Sequence, residues 1–125
     1  MDSRGKTVLI VATFGPEAPA RCPAPFLFAQ AAADSGAEVS LFFVLQGVRL
    51  LKRGIAETVY AKEGGRSMRQ FIDETLRAGV RFYVCGAALE LNDMTPDDLI
   101  DEAEDLVGPS FLITAGLEAD LVLSF

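Results

Sequence analysis

The chain has 125 residues, half of them apolar, with a formal net charge of −7 and no histidine. This length suits one domain with a real hydrophobic core, and we expect a single domain over residues 1–125. The composition is too apolar for a disordered chain, and no uninterrupted apolar stretch is long enough to span a membrane. The opening residues lack a signal-peptide h-region and cleavage site, which predicts a cytoplasmic protein.

Charge is distributed unevenly along the chain. Basic residues concentrate in the middle third and stop at Arg81, after which every charged side chain is an aspartate or a glutamate. An acidic surface repels phosphate backbones, so we expect no nucleic-acid partner. The acidic third is interpreted either as a solvated face or as a docking face for a basic partner, including the basic middle of a second copy.

The first third of the chain predicts a strand, a helix and a second strand. Lys6–Thr13 is a continuous β-branched run, typical of a strand buried on both faces of a parallel sheet. A loop rich in proline follows, and then an alanine-rich helix from about Ala24 to Ser35, which Gly36 ends. Glu38–Val44 is the second predicted strand.

The middle third predicts two helices and a third strand. Leu45–Arg53 has the spacing of a short helix. Ser67 and Gln70 form a capping box that opens a longer helix. The inner face of that helix is expected to carry Met68, Ile72 and Leu76, with Phe71 and Thr75 beside them. Val80–Val84 is the third strand, and it leads directly to Cys85.

The last third is ambiguous. Thr95 as N-cap and Pro96 behind it predict a helix whose inner side carries Leu99, Ala103 and Leu106. Residues 105–108 fit either its last turn or a short strand, and residues 109–119 fit either a strand or a helix. Leu121–Phe125 is a final buried strand. Strands that alternate with helices predict an α/β fold with a mostly parallel sheet.

Cys85 is the strongest candidate for chemistry. It follows an apolar strand, and the small residues Gly86, Ala87 and Ala88 come next. In open α/β sheets, side chains just beyond the carboxyl ends of the strands bind and react, and a short helix that starts here favours an anion. Cys85 is therefore either a working thiol, with Gly86 and Ala87 leaving room for a second sulfur atom, or an inert buried cysteine.

Cys22 lies in the loop after the first strand, at the same edge of the predicted sheet. It is either a resolving thiol for Cys85 or an incidental loop cysteine. Two cysteines that are far apart in sequence, with no secretory signal, argue against a disulfide framework.

The sequence lacks the residues that other common catalytic and binding sites require. Without histidine there is no Ser-His-Asp or Cys-His pair, and a zinc site is not expected. No GxGxxG or Walker A sequence follows the first strand, so we predict no cofactor and no metal. The predicted last helix carries recurring carboxylates, interpreted as a solvated face in preference to a divalent-cation site: Asp97, Asp98, Asp101, Glu102 and Asp105.

These segments, in this order, resemble the DsrE/DsrF-like family of small α/β proteins, which includes TusBCD sulfur-relay subunits and YchN-like proteins. The resemblance runs nearly end to end. The residues that carry it are the opening strand and loop, Gly36–Val39, Leu41–Val48, Val84–Ala88 and Leu117–Phe125. It implies one DsrE-like domain, a three-layer α/β/α sandwich with a mostly parallel five-stranded sheet. It also implies a short strand at 105–107, a helix from about Ser110 and a fifth strand at the end.

The resemblance further implies a function. In sulfur-relay members, a cysteine in the position of Cys85 carries sulfur as a persulfide, taken from a donor protein and passed to an acceptor. Such proteins are homo-oligomers, as trimers or hexamers, or hetero-oligomers. The alternatives are a non-catalytic oligomeric binding or assembly module of the same fold, and a thiol redox protein that uses Cys22 and Cys85 together.

Overall fold

A computed structural model describes residues 2–103 and 105–125 and contains one five-stranded sheet. All neighbouring strands run parallel, in the order β4-β3-β2-β1-β5. The strands are β1 (Thr7–Ala12), β2 (Glu38–Phe43), β3 (Arg81–Cys85), β4 (Leu106–Val107) and β5 (Leu121–Ser124). The predicted α/β fold is thus confirmed, and so are the short strand before residue 108 and the fifth strand. The prediction that the fifth strand is buried is wrong, because β5 is an edge strand and most of its residues are exposed.

Helices cover both faces of the sheet. The α-helices are α1 (Pro23–Asp34), α2 (Met68–Arg77), α3 (Gly86–Leu91) and α4 (Pro109–Glu118). Short 3₁₀ helices lie at Pro19–Arg21, Leu45–Leu51, Ala56–Thr58 and Pro96–Asp98. Helices α1 and α2 pack together on one face, and α4 lies across the other, so the three-layer α/β/α arrangement is confirmed.

The main core lies between the sheet and α1 and α2. Phe26 of α1 is its centre, with ring centroids 6.0 Å from Phe43, 6.3 Å from Phe82 and 6.5 Å from Phe71. Side chains of a strand alternate between its two faces, and here every second residue of β1, β2 and β3 points into this cluster. The continuous apolar run of β1 reflects burial on both faces, as the sequence indicated.

The capping box of α2 forms as predicted. The Ser67 hydroxyl accepts a hydrogen bond from the Gln70 backbone N–H at 3.3 Å, and the Gln70 side-chain oxygen accepts one from the Ser67 N–H at 2.8 Å. The inner face is turned slightly from the expected one. Thr75 is fully buried, and its hydroxyl donates to the carbonyl oxygen of Phe71 at 2.7 Å, whereas Leu76 is only half-buried.

The helix predicted from Thr95 is wrong. Only the single 3₁₀ turn Pro96–Asp98 forms, although the Asp98 carboxylate does accept a hydrogen bond from the Thr95 N–H at 2.8 Å. Leu99 is extended and pairs with Lys52 in an antiparallel bridge. The Ile100 N–H donates to the Leu51 carbonyl at 2.8 Å.

Long-range pairing therefore replaces the local helix. This pairing gives the backbone N–H and C=O groups hydrogen-bond partners and buries the apolar side chains of Leu99 and Ile100. Local propensity alone cannot anticipate such long-range pairing. Because this helix does not form, the carboxylates predicted for it do not lie on a common helical face. Within the described residues, no group of three or more acidic or cysteine side chains is placed to hold a metal ion.

Candidate functional site

Cys85 is the last residue of β3 and the N-cap of α3. Its backbone is still extended, with φ −70° and ψ 112°, and the helix begins at the next residue. The sequence accounts for this change, because the strand-forming run ends at Cys85 and small residues that accept helical geometry follow. The Cys85 side chain is half-buried and its thiol is free.

Strand alternation places Cys85 on the face of the sheet that also carries Arg81 and Tyr83. The Tyr83 ring packs against Phe111 of α4 with centroids 4.6 Å apart, while the guanidinium of Arg81 lies 5.7 Å from the Tyr83 centroid. Val84, between Tyr83 and Cys85, is buried in the opposite aromatic core. At the end of β3, however, Cys85 also packs against the edge of that core, so its side chain is not confined to the α4 side of the sheet.

The neighbouring edge strand ends beside Cys85. Val107, the last residue of β4, is the register partner of Cys85, and α4 begins two residues later at Pro109. The first turns of α3 and α4 thus start from adjacent strand ends. Unpaired backbone N–H groups lie at such helix starts.

Gly86 and Ala87, which follow Cys85, have few close contacts or are exposed. A Cβ built on Gly86 would approach only the Val107 carbonyl oxygen, at 3.9 Å, which is ordinary contact. Ala87 is exposed. The backbone therefore does not require glycine at position 86.

Cys22 occupies a very different environment. It is 1% exposed, and its thiol donates to the Gly15 carbonyl oxygen at 3.2 Å. Burial raises the pKa of the Cys22 thiol to about 11, and the Glu17 carboxylate adds to the rise. A thiol held protonated is a poor nucleophile at neutral pH. Both cysteines are free, and β2 lies between the strands that lead to them.

Two glycines that the sequence analysis did not single out allow two chain segments to approach closely at this edge of the sheet. A Cβ on Gly15 would lie 2.1 Å from the Gln46 carbonyl oxygen, and one on Gly47 would lie 2.4 Å from that of Ala12. The loops after β1 and β2 thus touch backbone to backbone, which only glycine permits. Nothing in the local sequence indicated this long-range approach.

Asn92 is a further residue that sequence reasoning missed. Its side-chain amide donates to the carbonyl oxygens of Leu45, at 3.0 Å, and Ala88, at 2.7 Å. Leu45 has a left-handed backbone with φ 51°. Asn92 therefore ties the end of α3 to the strained start of the segment after β2, and α3 is the helix that Cys85 caps.

Helix α4 carries an apolar outer surface. It has no buried residue, and Ile113 and Leu117 are 63% and 84% exposed. Beside them, Val122 on the edge strand β5 helps to line an apolar groove of about 280 Å³ between the helix and the strand. We call these residues and their groove the α4–β5 face.

In the part of the chain that the structure describes, no helix is long and apolar enough to cross a membrane.

Comparison with known proteins matches this arrangement to one family. The family model of the DsrE/DsrF-like family matches residues 6–125. The YchN protein of E. coli superposes with a TM-score of 0.79 at 21% identity, covering 96% of this chain and 99% of that one. None of the curated proteins compared with the sequence matches it.

Two proteins of unknown function have the same fold. One, from Methanobacterium thermoautotrophicum, gives a TM-score of 0.65 at 18% identity and covers 94% of this chain and 97% of its own. The other, from Bacteroides thetaiotaomicron, gives 0.69 at 14% identity, with coverages of 98% and 97%. At these identities the likeness concerns the fold alone.

Proposed function

The chain belongs to the DsrE/DsrF-like family, and we propose that it is a cytoplasmic sulfur carrier that takes up sulfur as a persulfide on Cys85. The observation that carries the proposal is the position of a half-buried free thiol at the carboxyl end of β3. That edge is where open parallel sheets place their reactive groups. The whole chain acts as one DsrE-like domain in this proposal.

The contrast between the two cysteines supports Cys85 as the carrier. Cys22 is fully buried, hydrogen-bonded to a carbonyl and kept protonated. Cys85 is partly accessible, and exposed Ala87 follows it in the first turn of α3. A donor or acceptor can reach a thiol in the second setting and not in the first.

The transfer is a thiol exchange with one additional sulfur atom. The Cys85 thiolate attacks the outer sulfur of a donor persulfide, R–S–SH. The bond between the two donor sulfurs breaks, and its electron pair leaves with the inner sulfur. The donor departs as R–S⁻, which takes up the proton that Cys85 released, and Cys85 becomes Cys–S–SH. An acceptor thiolate then removes the outer sulfur in the same way, so no external oxidant or reductant is consumed.

Assembly into a homo-oligomer is part of the same proposal, with the α4–β5 face as the contact between copies. Leu117, Ile113 and Val122 expose apolar surface that water disfavours, and burial stabilises by about 25 cal/mol per Å². The carrier would then be a trimer or hexamer, with its donor and acceptor as further partners.

The alternative is a non-catalytic oligomeric binding or assembly module. The same α4–β5 face favours it, because an exposed apolar face serves association whether or not Cys85 reacts. In this case Cys85 would be a packing residue against the core, and the native oligomer would not react with alkylating agents at Cys85.

Intact-protein mass spectrometry separates the two functions. Wild type, Cys22→Ser and Cys85→Ser are each incubated with a low-molecular-weight persulfide donor. The carrier gains one sulfur atom, about 32 Da, which reduction removes and which only the Cys85 variant lacks. Equal sulfur loading of wild type and Cys85→Ser would contradict the assignment of Cys85 as the carrier. The absence of sulfur loading on every form would favour the assembly module.

A further inference from the structure

A small pocket at the carboxyl edge of the sheet has no role in the proposed sulfur transfer. Its volume is about 130 Å³. Its walls come from the segments after β1, β2 and α3 and consist of Pro16, Arg49, Lys52, Ile55, Asn92 and Met94. Three separate connections therefore converge on one concavity, at the edge where open parallel sheets bind ligands.

Two cations of this pocket lie on the same side of one element. Arg49 belongs to the 3₁₀ helix Leu45–Leu51, and Lys52 caps it, with the Lys52 N–H donating to the Arg49 carbonyl oxygen at 3.3 Å. Residues three apart eclipse each other in a 3₁₀ helix. The buried residues Val48 and Leu51 fix the opposite side of the turn to the core.

Neither cation has an ion-pair partner within the residues described. The ion pairs found there involve other arginines, namely Arg4, Arg53, Arg66 and Arg69. Two carboxylates near the pocket in sequence accept hydrogen bonds from backbone N–H groups, whereas Asp93, between the lining residues Asn92 and Met94, is an exposed carboxylate. Glu17 accepts from the Gly15 N–H at 3.0 and 3.1 Å, and Asp98 accepts from the Thr95 N–H at 2.8 Å.

We propose that this pocket binds a single tetrahedral oxyanion, phosphate or sulfate, between Arg49 and Lys52. Arginine offers a planar fork of donors and lysine a compact point charge, a combination suited to such anions. The cavity of about 130 Å³ is large enough for one such ion. Arg49 and Lys52 are exposed to solvent, and Ile55 and buried Met94 add an apolar wall beside them.

The pocket is separate from the candidate thiol. Cys85 and Asn92 cap opposite ends of α3, so the two places are about 10 Å apart along the helix at 1.5 Å per residue. The anion site does not depend on sulfur transfer, and either proposal can fail without the other.

Titration of the ¹⁵N-labelled full chain with sodium sulfate or phosphate, at an ionic strength kept constant with chloride, tests the site. We expect saturable amide shifts in residues 49–55, with a dissociation constant in the millimolar range. The double variant Arg49→Ala/Lys52→Ala should weaken binding at least tenfold. Lys62→Ala, which removes an exposed lysine farther along the same connection, should leave it unchanged, and so should Cys85→Ser.

Shifts that stay linear in anion concentration, or equal affinity in the double variant, would overturn the proposal. Glycerol phosphate in place of phosphate distinguishes the source of the anion. Tighter binding of the ester would indicate the terminal phosphoryl group of a larger molecule, and equal or weaker binding would indicate the free ion. Both results support a tetrahedral oxyanion site.

Discussion

The side-chain amide of Asn92 donates to the backbone carbonyl oxygen of Leu45 at 3.0 Å and so joins the end of α3 to the segment after β2. Leu45 holds a left-handed backbone, which costs a non-glycine residue about 1 kcal/mol or more. The same amide also donates a hydrogen bond to the Ala88 carbonyl oxygen at 2.7 Å. One side chain thereby steadies both the strained loop and the helix that follows Cys85.

Asn92→Ala should lower the free energy of unfolding by about 1–2 kcal/mol, because two hydrogen bonds are lost at about 1 kcal/mol each. We also expect faster alkylation of Cys85, since the short helix α3 loses its anchor at the far end. Urea denaturation and timed iodoacetamide labelling measure the two effects. Glu90→Ala on the exposed side of α3 is the control, and an equal loss of stability there would contradict the assigned role of Asn92.

The thiol of Cys22 makes folding stability depend on pH. Its pKa rises from an ordinary 9.0 to about 11 in the folded chain, so between these values the folded state keeps a proton that the unfolded state releases. The contribution of Cys22 to the free energy of unfolding is therefore fully present below pH 9. It is lost as the pH rises toward 11, and the loss is about 2–3 kcal/mol at 1.36 kcal/mol per pH unit.

Chemical denaturation of wild type and Cys22→Ala between pH 8 and 11 measures this dependence. Other groups titrate in the same window, so the difference between the two slopes is the informative quantity. We expect wild type to lose more stability than the variant as pH rises. Parallel curves would show that Cys22 has the same proton affinity folded and unfolded.

Gly47→Ala should destabilise the fold by about 1–3 kcal/mol, as overpacking does, because its Cβ would lie 2.4 Å from the Ala12 carbonyl oxygen. The first and second connections would have to separate. Gly108→Ala is the matched control, since nothing lies within 4 Å of a Cβ there and its φ of −108° suits any residue. Thermal unfolding compares them, and equal shifts in Tm would argue against the close approach.

Leu117→Glu should dissociate the proposed homo-oligomer without unfolding the subunit, because this side chain is 84% exposed on α4. Light scattering coupled to size-exclusion chromatography gives the mass, and circular dichroism reports the fold. Leu91→Glu, on a leucine that is 78% exposed on α3, is the control for surface charge. An unchanged mass for Leu117→Glu would remove the α4–β5 face as the contact.

Much of the fold could be predicted from local patterns. The apolar run at Thr7–Ala12 became a strand, because a sheet covered on both faces favours continuous apolar runs, and the β-forming run at Glu38–Phe43 became the second strand. The capping box at Ser67 fixed the start of α2 through contacts within one turn. The place of Cys85 at a strand end followed from the same local change of pattern.

The sequence by itself therefore determined the alternation of strands and helices and put a thiol at the edge of the sheet, since both depend on neighbours in the chain. Tertiary structure decided which contacts form between distant segments. It replaced the helix after Thr95 by pairing of Leu99 with Lys52 and buried Cys22 beneath its own loop. It also brought Pro16 and Asn92 to the pocket that Arg49 and Lys52 line. Burial, backbone pairing and cavity shape depend on segments that meet only in the folded chain, so local propensity does not specify them.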